Sequence, residues 1–433
     1  MRRVLFPITI VATLTLMVSV CPQLFGQDPD RQTKPVTMIG ATGEAAKYWP
    51  GWRGPNRQGV AADGDYVDTW SDTKNVIWKA KVPGDGNSSP IIFKDSIFLT
   101  TSHEKGERRS ILCLDRANGK VRWETFTPEG DVERTQKKNG FASGTPVTDG
   151  ERVYAYFGNF GLMCVDVSGK RLWHQSFGDI NALHGTACSP LLYGDAVIVF
   201  QDQRTKGKSF VAAYDKRTGK ELWKTVRQEK VGWGSPVAIR VGDEDQIIVS
   251  SSRAVYAYDP QNGEMLWKCD GNLYEVTPTP VVGHNLLYCS SGRAGPTLAI
   301  QPTGRGNVTK SHLQWQTVKG SPFIPSPVLV GEHLYILNDI ISVVTCFDAK
   351  SGEVVWQSRL GEPLKHGFSA SPVAVNGKLF FTNDSGETYV VRAGAKYELL
   401  GVNRLGEKTL ASPALVDGKW YIRTAEHLYC IGK

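Results

Sequence analysis

The residues best equipped for chemistry sit in the irregular stretches of this chain: Asn139, His184, Trp233, Tyr274, Glu275, Phe323 and His366. Two of them repeat in context. His184-Gly185 and His366-Gly367 stand at the same offset from a following Ser-Pro. Such residues gathered around one opening would make a ligand or partner site, and the plain alternative is that they cap strands and hold loops. Asp339, Asp384 and Glu387 offer oxygen ligands for a calcium ion between strands, or else are solvated loop tips. The established reaction motifs are missing from the sequence. There is no His-x-His, no zinc-spaced His/Glu cluster, no nucleophile elbow and no phosphate-binding glycine loop.

What must position these residues is a phrase that the chain repeats. Ala213 to Trp223 reads Ala-Tyr-Asp-Lys-Arg-Thr-Gly-Lys-Glu-Leu-Trp, and Ala257 to Trp267, Cys113 to Trp123, Cys346 to Trp356 and the shorter Cys164 to Trp173 repeat it. Each copy is an apolar strand, an Asp-x-x-(Thr/Asn/Ser)-Gly turn and a strand carrying Trp. The Asp side chain bonds its own backbone ahead of the turn, and Gly takes the positive φ of a bulged hairpin. A second mark alternates with it: Ser89-Pro90, Thr145-Pro146, Ser189-Pro190, Ser235-Pro236, Thr279-Pro280, Ser326-Pro327, Ser371-Pro372 and Ser412-Pro413. Each opens a strand at the position where the missing Pro donor is tolerated. Eight units of four antiparallel strands predict an all-β, eight-bladed β-propeller.

The ends predict how the ring shuts. The last unit stops one strand short at Lys433, and the lone strand around Trp78, within residues 75–82, supplies the missing one. Trp78, Trp123, Trp173, Trp223, Trp267, Trp315 and Trp356 are expected to wedge between neighbouring blades. The fifth unit departs at Gln301 to Gly306, and the seventh runs from Arg392 to Leu400 without Trp. Residues 48–74 contain Trp49-Pro50-Gly51-Trp52-Arg53-Gly54-Pro55, whose glycines and prolines forbid a helix while its Trp side chains need cover. They read as an ordered strap on the main body, with Arg53 in a structural role. Residues 27–47 are polar and aperiodic and read as a flexible lead-in.

Arg2 and Arg3 precede an apolar run from Val4 to Val20, interrupted by Pro7 and short for a membrane span. Residues 1–26 read as a secretory signal cut near Gly26, which places the mature chain in the periplasm or at the cell surface without a transmembrane span. Val20 disfavours lipidation of Cys21, where a small residue is wanted. Cys113, Cys164 and Cys346 share one repeat position with Ala213 and Ala257, so they read as buried thiols rather than bridges. The net charge of +7 is dispersed, with no basic stripe carrying interleaved aromatics, so nucleic acid is not an expected partner. A monomer is expected.

The Ser-Pro starts and Asp-x-x-Thr-Gly-x-x-x-Trp hairpins resemble the tryptophan-docked repeats of the quinoprotein (PQQ-like) β-propeller superfamily. In size the chain is similar to BamB-like propellers, and its Trp-Arg-Gly-Pro opening resembles exported planctomycete-type PQQ-like repeat proteins. The resemblance runs from Asn75 to Lys433 and rests on residues that build blades. It implies an exported, non-catalytic scaffold that binds protein partners or a polymer on the face carrying the long connections Glu124 to Gly144, His174 to Cys188, Lys268 to Pro278 and Gln357 to Ala370. The alternative it implies is a PQQ-dependent oxidoreductase or sensor. Trp233 would then stack the quinone, with Lys365 or Arg53 as counter-charge, but the adjacent cysteines and the calcium ligands of quinoprotein dehydrogenases are not recognisable. No cofactor is therefore expected.

Overall fold

A computed structural model describes residues 34–136, 138–362 and 367–433. Within Lys34–Lys433, eight blades of four antiparallel strands follow one another as a β-propeller, and the sheet of blade 4 (residues 237–270) also takes up Val36–Met38 at one edge and Gly306–Asn307 at the other. Blade 3 shows the plan, with strands Leu191–Tyr193, Ala196–Gln201, Ser209–Asp215 and Glu221–Arg227. Blades 1, 2, 4, 5, 6 and 7 occupy residues 91–126, 147–175, 237–270, 281–317, 328–359 and 373–404. The second and third strands are buried on both faces, because sheets pack on either side of them. That is why they read as continuous apolar runs such as Val197 to Phe200.

Blade 8 joins the two ends of the chain. Ala414–Val416, Lys419–Arg423 and His427–Ile431 are completed by Val76–Lys81, which pairs antiparallel with the last strand, Lys81 opposite His427. Glu407 holds this seam by accepting from Tyr429 at 3.0 Å and pairing with Lys79 at 2.7 Å.

The Trp phrase is a docking device between blades. Trp173 Nε1 donates to Lys216 O of the next blade at 3.1 Å, and its ring covers Gly219, where an added Cβ would lie 2.7 Å from the indole. Trp78, Trp123, Trp223 and Trp315 donate in the same way to Arg116, Val167, Pro260 and Ala349 of the following turn. Each acceptor follows the turn Asp or its counterpart, so the turn positions the acceptor as well as the glycine. The two irregular units solve the same problem differently. Trp356 donates to Gly394 O at 2.9 Å. Trp267 donates to Gln246 Oε1 of its own blade, and Gln246 Nε2 passes the link to Pro302 O.

The N-terminal segment corrects one expectation and extends another. From Lys34 on, the supposed lead-in is ordered: Val36–Met38 pairs with Val237–Val241 of blade 4, and Gly43–Lys47 forms a 3₁₀ turn. Three paired residues are too few to produce a visible period in sequence. Residues 48–74 do more than lie on the body. Trp49 bridges Ile92 of blade 1, Thr148 N of blade 2 donates to Pro50 O, Arg57 donates to Leu192 O of blade 3, and Val282 N of blade 5 donates to Gln58 Oε1. Arg53 reaches Pro327 O of blade 6, and Val60 bridges Ala374 of blade 7. The segment plugs the ring across the first strands of its blades.

All seven cysteines among the described residues are free and buried. Cys113, Cys164 and Cys346 lie in the cores of three different blades, and burial pushes the Cys113 thiol up to about 11. Residues 1–26, expected to be a secretory signal, and Cys21 lie outside the described residues. Among those described, no helix is long and apolar enough to cross a membrane.

Candidate functional site

The Ser/Thr residues ahead of each Pro build the floor of a central funnel. The backbone N–H of Ser89 donates to Thr145 Oγ1, Thr145 to Ser189 Oγ, Ser189 to Ser235 Oγ and Ser235 to Thr279 Oγ1, at 3.0, 3.0, 3.1 and 3.5 Å. Thr279 continues to Ser326, Ser326 to Ser371 and Ser371 to Ser412, at 3.0, 2.9 and 2.9 Å. Ser412 returns to Ser89 at 3.0 Å and completes the circle. The following Pro has no N–H, so the amide before it carries the contact between blades. Each hydroxyl is occupied as an acceptor, and among the described residues none finds an acceptor for its own hydrogen. The floor is a ring of O–H donors.

Trp52 of the plug sits in this ring and donates Nε1 to Thr279 Oγ1 at 3.0 Å. Above it is a cavity of about 150 Å³, lined on the long-loop side by Asn139, His184, Trp233, Glu275 and Phe323. Five of the seven sequence candidates thus converge. Asn139 Nδ2 donates to His184 O at 2.7 Å, and its own carbonyl accepts from Asn87 Nδ2 at 2.5 Å. His184 stacks on Trp233 with ring centroids 5.7 Å apart and planes 19° apart, and Trp233 Nε1 donates to Gly185 O at 2.8 Å. Glu275, with φ at 59°, lies 3.8 Å from His184 Nε2 and 3.3 Å from Arg293 Nε. Arg293 lies over the Phe323 ring at 5.6 Å. Lys138, across the cavity, pairs with Asp384 at 3.0 Å.

Other candidates are placed elsewhere. Tyr274 was expected at the opening, yet it stands 72% exposed at the tip of its loop, outside the cavity lining, because Glu275 takes the inward position. His366 and Lys365 lie outside the described residues. Asp339, Asp384 and Glu387 do not gather into a cation site. Asp339 accepts from Phe323 N at 2.7 Å, Asp384 from Ser369 N at 2.7 Å, and Glu387 pairs with Arg404 at 3.0 Å. Among the described residues no cluster of His, Cys, Asp or Glu has metal-ligating geometry. Arg53 lies within the plug, donating Nη2 to Gln58 O and Pro327 O at 2.6 Å, and burial lowers its pKa to about 9.

Sequence reading missed Trp52, Asn87, Lys138 and the hydroxyl ring. The ring did leave a signal. Proline explains the strand starts, but it does not explain why the residue before it is always Ser or Thr.

The family described as "Outer membrane protein assembly factor BamB" matches residues 107–357 and 341–430. The chain belongs to this family of PQQ-like repeat propellers. A BamB from Burkholderia pseudomallei (strain K96243) is 26% identical over 247 residues, 54% of this chain and 57% of the relative. A tetrathionate hydrolase from Acidithiobacillus ferrooxidans is 27% identical over 133 residues, 29% of this chain and 24% of the relative. The chain therefore spans 57% and 24% of these curated relatives. Among solved structures, BamB from Moraxella catarrhalis superposes with a TM-score of 0.61 at 13% identity, over 83% of this chain and 97% of that one. A quinohemoprotein alcohol dehydrogenase from Comamonas testosteroni gives 0.61 at 12% identity, over 89% and 80%. At these identities the superpositions report the fold alone.

Proposed function

We propose that the protein is an exported, non-catalytic scaffold that holds a partner protein on its long-loop face, as a BamB-like factor of the periplasm or cell surface. The observation that carries this reading is apolar surface on that face. Leu273, Tyr274, Val318, Ile340 and Ile341 are 49, 72, 65, 47 and 43% exposed on the connections of blades 4 to 6. Single exposed apolar residues are ordinary, but five on neighbouring loops of one face suit a protein contact. The test is photo-crosslinking in cells from a benzophenone amino acid at Tyr274 or Val318. Discrete adducts that vanish in the Leu273→Asp/Ile340→Asp protein support the scaffold. Probes that label only solvent, in a folded protein, oppose it.

The quinohemoprotein neighbour raises PQQ, and the funnel residues do not suit it. A planar, triply acidic quinone needs two open stacking faces and matched cations. His184 already covers one face of Trp233, Glu275 adds a negative wall, and Arg53 is held by carbonyls inside the plug. Taking three carboxylates out of water costs several kcal/mol per ion, more than one aromatic contact returns. No saturable PQQ binding below about 100 μM is expected in a calorimetric titration with calcium.

A further inference from the structure

Beside the funnel, a second cavity of about 400 Å³ opens on the long-loop face between blades 8 and 1. One wall is Arg423, the last residue of its strand and only 2% exposed. Its guanidinium is held by one end. Nη1 donates to Ser88 Oγ at 2.7 Å, to Thr100 O at 2.8 Å and to Ser88 O at 3.3 Å. The opposite edge is bare. Nε is buried without an acceptor, and the guanidinium's hydrogen bonds to described residues all leave from Nη1. Nε and Nη2 form the side-on fork with which arginine grips planar anions through two parallel bonds. Three backbone and hydroxyl acceptors thus orient this fork, and no carboxylate of the chain fills it.

Gly86 keeps the edge open. A Cβ there would stand 2.8 Å from Arg423 Nη2 and 2.9 Å from Thr100 O. The Gly86 φ lies outside the left-handed region, so space and not backbone conformation calls for glycine. Of the other charges lining the cleft, Lys408 is positive and Asp85 negative, and both are exposed. With Arg423 the lining carries a single net positive charge, which a singly charged anion neutralises and a dianion overshoots.

We propose that this cleft is a carboxylate socket, in which the Nε–Nη2 edge of Arg423 takes the side-chain carboxylate of an Asp or Glu presented by the partner protein. It rests on the scaffold reading, since it names the chemistry by which that face recognises its partner. The buried cation, which no carboxylate of the chain bonds and which Asp85 offsets only through space, gives the socket its selectivity. A neutral amide in the same place leaves the charge uncompensated, which is costly at a desolvated site.

The test follows the Arg423 Nε–H resonance, assigned by its loss in Arg423→Lys, while sodium acetate, phosphate or chloride is added at matched ionic strength. Acetate should shift it saturably with millimolar affinity, and phosphate should bind more weakly. Capped peptides carrying one Glu should bind about tenfold more tightly than their Gln counterparts. Arg423→Lys should abolish the preference for Glu over Gln peptides. Should that variant fail to fold, Ala425→Trp fills the cleft at an exposed position and leaves the Arg423 bonds intact, and it should block acetate. An acetate response no larger than that of chloride, or one surviving Ala425→Trp, overturns the socket. Phosphate binding tighter than acetate overturns the carboxylate assignment. Loss of the Tyr274 crosslinks with an intact acetate response would instead count against the scaffold reading alone.

Discussion

Ser412 donates its backbone N–H to the hydroxyl of Ser89, 323 residues earlier in the chain, at 3.0 Å. This bond closes the hydroxyl circle at the seam where the chain ends must meet. Both residues are buried, at 5 and 2% exposure. Ser89→Ala should cost about 1–3 kcal/mol, the penalty for an unmet buried donor. Ser89→Thr should be nearly neutral, because Thr145 and Thr279 already serve in the circle. Chemical denaturation of the two variants reads the difference.

Glycine in the docking turns should be indispensable for two separable reasons. Gly219 has φ +73°, and a Cβ there would also strike the Trp173 ring at 2.7 Å. Gly207 has φ +71° but nothing within 4 Å of a Cβ. Gly207→Ala should cost about 1 kcal/mol of backbone strain. Gly219→Ala should cost about 2–4 kcal/mol, since it adds overpacking against a neighbouring blade. Equal losses would mean that the indole moves aside freely.

Much of this architecture was legible because it is periodic. The Asp-Gly-Trp phrase and the Ser-Pro marks encode contacts between consecutive blades, so each contact is written several times and Trp173 over Gly219 predicts Trp223 over Gly263. Single-copy contacts could not be read in that way. Arg57 to Leu192 O and Trp52 to Thr279 Oγ1 join residues 135 and 227 positions apart through a segment without period. Five funnel residues were legible from their place in long loops, but Tyr274 and Glu275 are neighbours, and sequence does not say which of two adjacent residues turns inward. Arg423 was hidden for another reason. It ends an ordinary apolar strand, and what distinguishes it is a missing partner.

Asp339 should make stability fall as pH rises. Burial disfavours its anion and lifts its pKa from 3.8 to about 6, although Phe323 N donates to it. The folded state therefore holds the proton more tightly than the unfolded state does. The resulting stabilisation is full below pH 3.8 and is lost as pH rises through about 6. Asp339→Asn keeps an acceptor for Phe323 N and removes the titration. It should be more stable than the parent at pH 8 by roughly 2–3 kcal/mol, from about 1.4 kcal/mol per pKa unit. The advantage should shrink towards pH 4. A gap independent of pH would show that this carboxylate is well solvated when folded.

Seven thiols should react without reductant when a chain beginning at Gln27 is unfolded, since Cys113, Cys164, Cys188, Cys269, Cys289, Cys346 and Cys430 are all free. In the folded protein they should resist labelling for hours. Each is buried, and burial raises the Cys188 thiol to about 12, which leaves almost no thiolate at neutral pH. Fewer reactive thiols after unfolding would reveal a bridge.

Two deletions separate the plug from the seam. Removing residues 34–74 leaves Val76–Lys81 in blade 8, so every blade keeps four strands and the Ser89–Ser412 bond survives. What is lost is cover. Trp49 and Trp70 are 1 and 3% exposed, and Trp70 lies 5.0 Å from Trp420 and 6.0 Å from Phe380 between ring centroids. Each buried Trp hides about 150–250 Å², roughly 4–6 kcal/mol gross at about 25 cal/mol per Å². The shortened protein should stay monomeric but melt at a markedly lower temperature, with the funnel floor open where Trp52 stood. Removing residues 34–81 also strips His427–Ile431 of its outer partner and exposes an unpaired sheet edge. That protein should aggregate. Light scattering during thermal melts distinguishes the two, and a monomeric, cooperative melt of the longer deletion would show that Val76–Lys81 does not close the ring.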